Sequence, residues 1–223
     1  IDPDMRNNGV ISTISGIGTD QLVTRAPTLR DVVKADGSLN GPLMHTGDFD
    51  LDDILARQCT YGIYCTGAAS LSVVASRFEA NSYGISTNEG TLDLDDCEFV
   101  GNTNLGLRCQ GVEPDILSPN LVFDANATGM EVTDVPNLAL ATAMTFTNNT
   151  SVGLALEGCD DPTLDNLVFT SNTGADGALM LVDCGEITLG ANNVIGGNSW
   201  PLALGPGAYP TAGSVIPTSG NQN

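Results

Sequence analysis

The chain has little positive charge. Of its 223 residues only 7 are lysine or arginine, against 27 aspartate or glutamate, a formal net charge of −20. Lys34 is the only lysine and His45 the only histidine. Binding to nucleic acid sets basic side chains against phosphate, so that partner is disfavoured. An anionic membrane surface is disfavoured for the same reason. No apolar run approaches the roughly 18 residues of a bilayer crossing, so no membrane span is expected in this fragment. No signal-peptide pattern is visible, and the chain starts at Ile1 rather than Met, which reads as a mature or excised piece. With one histidine and no cysteines at metal-ligand spacing, zinc is not expected.

What is present is an acidic surface and an even number of cysteines, six. A surplus of carboxylates suits solubility, cation binding or a saline external environment. Six cysteines without a metal pattern read as disulfides, and hence as an oxidising compartment. The expected location is extracellular or at the cell surface.

The clearest pattern is a repeat. A phenylalanine is followed three residues later by an asparagine at Phe78/Asn81, Phe99/Asn102, Phe123/Asn126, Phe146/Asn149 and Phe169/Asn172, at steps of 21, 24, 23 and 23 residues. A glycine follows each pair: Gly84, Gly106, Gly129, Gly153 and Gly177. Self-similarity at this period is the mark of a solenoid. Between the markers lie three short segments of alternating apolar and polar residues per copy, which argues strands with one buried face. Gly, Asn, Asp and Pro between them supply turns. Upstream, Ala56, Cys59 and Gly62 hold the Phe, Asn and Gly positions; downstream, Ile195 and Asn198 keep the spacing.

Three strands per coil and the Phe–Asn–Gly pattern resemble the right-handed parallel β-helix superfamily, the pectate-lyase-like solenoids. The expected fold is all-β, a right-handed parallel β-helix solenoid of about seven coils over residues 49–205. Residues 1–48 do not repeat and are expected to cap the first coil, with a strand near residues 9–15 and a strand or short helix near 28–34. Residues 206–223 read as a loose tail or a final edge strand. The resemblance is specific for fold and weak for function, because the scaffold carries many activities.

Register then places the remaining residues. The phenylalanines should stack in the core and the asparagines at a turn, each ladder a structural device. Cys159 and Cys184 fall at equivalent places in adjacent coils and are expected to form a disulfide. Cys59 with Cys65, and Cys97 with Cys109, are the remaining pairings; buried free thiols are the alternative, since inward cysteine packs as a small hydrophobe. Arg108 should meet Glu131 across neighbouring strands.

Carboxylates crowd two stretches, Phe49 to Asp53 and Leu92 to Asp96. With Leu51 and Leu94 inward, Asp50, Asp52, Asp93 and Asp95 face outward on one wall, a candidate calcium set of oxygen ligands. Leu71, Ser72 and Val73 separate the two pairs, and a solvated acidic face is the competing explanation. The adjacent pairs Asp52/Asp53, Asp95/Asp96 and Asp160/Asp161 are candidates for acid–base work on a glycosidic bond. The Gly-His-Gly and Arg-x-Lys motifs of β-helix polygalacturonases are missing, and Arg57, Arg77 and Arg108 stand in no lyase-like motif. Tyr61, Tyr64 and Tyr83 gather near the turn glycines, either as turn packing or as a strip for sugar rings. Asn126, Asn148 and Asn149 lie in glycosylation sequons, two of them ladder positions.

These features point to an extracellular structural or adhesive module, a subunit of a cell-surface stalk or filament, with self-association or other surface proteins as partners. A polysaccharide-active lyase or glycoside hydrolase, and a carbohydrate-binding module taking glycans, are the alternatives.

Overall fold

The computed structural model describes residues 14–15, 49–53, 55–65, 70–88, 90–116 and 120–210. The region 16–48, which holds the second expected cap element, and residues 211–223 lie outside the described residues. The chain is a right-handed parallel β-helix, with no helix among the described residues.

Strands are numbered β1 to β23 along the chain. The first sheet has eight: β1 (Ile14–Ser15), β3 (Leu55–Arg57), β6 (Arg77–Glu79), β9 (Glu98–Val100), β12 (Leu121–Asp124), β15 (Met144–Thr147), β18 (Leu167–Thr170) and β21 (Val194–Gly196). The second has seven: β4 (Tyr61–Cys65), β7 (Tyr83–Thr87), β10 (Leu105–Gln110), β13 (Thr128–Thr133), β16 (Val152–Glu157), β19 (Gly177–Val182) and β22 (Leu202–Leu204). Seven strands make six complete turns from β4 to β22. The third side is divided. One sheet holds β2 (Phe49–Asp52), β5 (Ser70–Val74), β8 (Thr91–Asp95) and β11 (Pro114–Ile116). Another holds β14 (Ala139–Leu140), β17 (Thr163–Leu164), β20 (Gly185–Leu189) and β23 (Ala208–Pro210).

Corners explain why short segments keep closing into coils. Between the first and second sheets the chain turns through a left-handed residue in every coil: Gln58, Ala80, Gly101, Ala125, Asn148, Ser171 and Gly197. Each is followed by the residue that faces inward at that corner: Cys59, then Asn81, Asn102, Asn126, Asn149, Asn172 and Asn198. A buried amide must satisfy its donors and acceptor, and the ladder does so. Asn126 shows the pattern: its backbone N–H donates to Asn149 Oδ1 at 3.0 Å and its Nδ2 to Phe99 O at 2.9 Å. Cys59 takes the amide slot as expected, its N–H donating to Asn81 Oδ1 at 2.9 Å.

The phenylalanines stack one per coil, with ring centroids 4.8–5.2 Å apart. Glycine makes room for them. A Cβ on Gly106 would lie 2.5 Å from the carbonyl oxygen of Gly129 and 3.0 Å from Phe99 Cβ. The column runs Gly62, Gly84, Gly106, Gly129, Gly153 and then Ala178. Gly177, expected in that column, sits one residue earlier, pairs with Val152 and adopts a left-handed φ of 70°.

The division of the third side also comes from corners. In the turn from the second sheet into β11 one residue is left-handed, Gly111. The turns into β14, β17 and β20 use two: Asp134 with Asn137, Gly158 with Asp161, and Asp183 with Gly185. β14 does not pair with β11, and among the described residues side chains bridge the step. Ala139 N–H donates to Glu113 Oε1 at 3.2 Å, and Thr142 Oγ1 to Ile116 O at 3.0 Å.

Candidate functional site

The acidic wall lies on the sheet of β2, β5, β8 and β11. Register sets Asp50 beside Ser72 and Ser72 beside Asp93; Asp52 meets Val74, and Val74 meets Asp95. The two aspartate pairs are therefore two strand steps apart, about 10 Å. The expected calcium ligands are not brought together: among the described residues no three of His, Cys, Asp or Glu gather at a metal-binding distance. One carboxylate escaped the sequence reading. Asp115 on β11 is the direct register partner of Asp93. Its segment, Pro114 to Ile116, carries no acidic run that would mark it.

The adjacent aspartates have a backbone explanation. Asp53, Asp96 and Asp161 occupy left-handed corners with φ of 53°, 50° and 51°. Asp and Asn tolerate that region better than other residues with a Cβ. Asp161 also caps the next coil, its Oδ1 accepting the N–H of Glu186 at 3.1 Å. Asp165 does the same, and its hydrogen bonds from Asn192 hold its carboxyl below the usual range.

Each arginine of the described coils is paired. Arg57 lies 3.9 Å from Glu79, Arg77 2.8 Å from Glu79 and in contact with Glu98, and Arg108 3.0 Å from Glu131. The last is the expected cross-strand pair. The bond to Glu79 raises the Arg77 pKa further.

The tyrosines do meet. Tyr61 and Tyr83 stack at 4.7 Å with rings 12° apart, and Tyr64 leans on Tyr61 at 5.0 Å and 44°. Burial, then the neighbouring phenols, raises the Tyr61 pKa. Stacking coil on coil turns ring faces toward each other, and a sugar ring needs such a face free.

The cysteines correct an expectation. All six are free and buried, and none forms a disulfide. Cys65 pairs in register with Thr87, while Cys109 lies between Thr87 and Val132; Cys59 neighbours Asn81. The pairings of Cys59 with Cys65 and Cys97 with Cys109 fail because these side chains take separate inward columns. Cys97 Sγ lies 3.2 Å from Asp95 O and 3.3 Å from Val73 O, and burial pushes its thiol up to about 11. Cys159 and Cys184 do fall at matching corners of adjacent coils, each two residues beyond the register pair of Glu157 and Val182. The ladder asparagines Asn126 and Asn149 are fully buried, so only Asn148 of the sequon residues is exposed.

A concavity lies at the step in the third side, a groove of about 500 Å³ between β11 and β14. Asp93, Glu113 and Asp115 line one part, Ala139 and Thr142 the other.

No curated protein and no solved structure matches the chain. A family model does match, over residues 6–200: NosD, described as periplasmic copper-binding protein. With most of its length matched and a parallel β-helix to match it, this chain belongs to the NosD family.

Proposed function

We propose that this chain is a non-catalytic scaffold working outside the cytoplasm, joined to a second copy of itself through the open end of its last coil. The family's periplasmic setting supports the location. The observation that carries the docking is the end of the stack. Among the described residues β21, β22 and β23 each have a strand neighbour on one side only. At that end Val194, Trp200 and Leu204 are 54%, 52% and 45% exposed. Unpaired strand edges beside large exposed apolar side chains favour a further layer of strands. A copy stacked head-to-tail would continue the sheets and cover those side chains, and such a contact repeats into a filament. The paired arginines and the structural roles of the neighbouring aspartates support a role without catalysis.

The family's name adds copper, and the described residues do not fit it. Copper takes soft thiolate, thioether or imidazole donors. Here all six cysteines are buried, with described thiols near carbonyl oxygens that favour the protonated form. Met130 and Met144 are core residues, leaving Met180 as the one partly exposed soft donor among the described residues. No copper is assigned to these coils.

Sedimentation and negative-stain microscopy over a range of concentrations test the docking. The wild-type chain should elongate with concentration, and Trp200→Glu should remain monomeric. A wild-type chain that stays monomeric at high concentration overturns the proposal.

A further inference from the structure

Cys159 and Cys184 stand apart from the other thiols. Each follows a left-handed residue, Gly158 or Asp183, at the same corner of consecutive coils. Glu157 and Val182 are register partners, so the two cysteines lie two residues beyond a matched pair. One strand step, about 4.8 Å, then separates their backbones. That falls within the Cα separation of about 4.4–6.8 Å that a disulfide spans. Both side chains are fully buried, and the backbone between them is paired, with Gly158 N–H donating to Val182 O at 3.0 Å and Asp161 N–H to Cys184 O at 3.0 Å. No other described cysteine has a cysteine at its register position in the next coil.

We propose that Cys159 and Cys184 are a redox clamp: a dithiol that a disulfide-bonded oxidant converts to a bond tying the last two full coils together. The chemistry balances with an oxidant of the form R–S–S–R. One of the two cysteine thiolates attacks one oxidant sulfur and expels R–S⁻. The other thiolate then attacks the protein sulfur of the mixed disulfide and expels the second R–S⁻. The two thiol protons end on two R–SH, the protein is oxidised by two electrons and the oxidant reduced by two.

The surroundings favour a neutral product. Cys159 Sγ lies 3.4 Å from Val132 O, and Cys184 Sγ 3.2 Å from Val182 O and 3.5 Å from Leu156 O. Carbonyl oxygens destabilise two adjacent thiolates but not a disulfide. A periplasmic family meets oxidising conditions.

The test is a peptide map, which reads the bond whether or not the chain self-associates. Full-length protein is reduced in denaturant, refolded with oxidised glutathione, alkylated and digested; a second sample is taken from cells that secrete it to an oxidising compartment. Refolding through the open chain removes any barrier of access to the buried sulfurs. The expected result is one cross-linked peptide pair joining Cys159 to Cys184, with the other four cysteines alkylated. The oxidised chain should melt at a higher temperature than the reduced one, and Cys184→Ala should abolish that difference. Recovery of Cys159 and Cys184 as alkylated thiols in both samples, or a link that joins other cysteines instead, overturns the proposal.

Discussion

Asn149 Nδ2 donates to Asn172 Oδ1 at 2.8 Å, and the same oxygen accepts the backbone N–H of Asn149 at 3.0 Å. One side-chain oxygen thus closes two donors of the coil before it. Repeated along the stack, this arrangement makes each asparagine's loss a fault in its neighbours.

Asn149→Ala should therefore cost far more than a single hydrogen bond. It removes the acceptor of the Asn126 N–H and the donor to Phe123 O, both buried. An unsatisfied buried group costs about 1–3 kcal/mol, so urea denaturation should show a loss of about 3 kcal/mol or more. Thr150→Ala, exposed and next in sequence, should stay within about 0.5 kcal/mol. Equal effects at the two positions would refute the ladder's role.

Two substitutions between the same residue types should act in opposite directions. Gly106→Ala pushes a methyl group into the Gly129 carbonyl and the phenylalanine column. Overpacking of that kind costs about 1–3 kcal/mol. Ala125→Gly relieves a left-handed alanine, φ 55°, and should stabilise by up to about 1 kcal/mol after the greater freedom of unfolded glycine is deducted. Melting temperatures of the two variants decide it.

On the acidic wall, Asp115→Asn should stabilise the fold. Asp115 and Asp93 are like charges directly across a strand pair, an arrangement that costs about 0.2–1 kcal/mol. The gain should shrink as salt rises, because exposed charges are screened. A gain that persists undiminished in molar salt would point to some other cause.

Alkali should weaken the fold through its thiols. The unfolded chain ionises a cysteine near 9.0, while folded Cys97 keeps its proton to about 11. Cys109 shifts in the same direction through burial. The contribution is whole below the unfolded value and disappears as pH rises through the folded one. Between these limits each thiol should remove up to about 1.4 kcal/mol per pH unit. Cys97→Ala should flatten the slope of stability against pH in that window.

The ladders were legible in the sequence because their positions face inward and repeat at nearly constant spacing. Phe99 and Asn102 fix a register, and register alone brings Arg108 to Glu131 and Cys159 to Cys184. What could not be read depends on the corners. An extra left-handed residue such as Asn137 or Asp161 shifts a strand sideways without changing the apolar pattern. The break between β11 and β14 and the groove beside it lie where that corner changes. Gly177 misled because a glycine near the right spacing served a turn, while Ala178 continued the column. The cysteines misled because an even count suggested pairing that inward, separated columns prevent for four of the six.

The missing rungs between β11 and β14 make the stack mechanically uneven. Two walls carry unbroken hydrogen bonding through this level, while among the described residues the third is bridged by the Glu113 and Thr142 side chains. A bending load would open that seam first and leave the other two walls in compression. The rod therefore has one preferred direction of flexure, set at its fourth and fifth coils by the placing of a few left-handed corner residues.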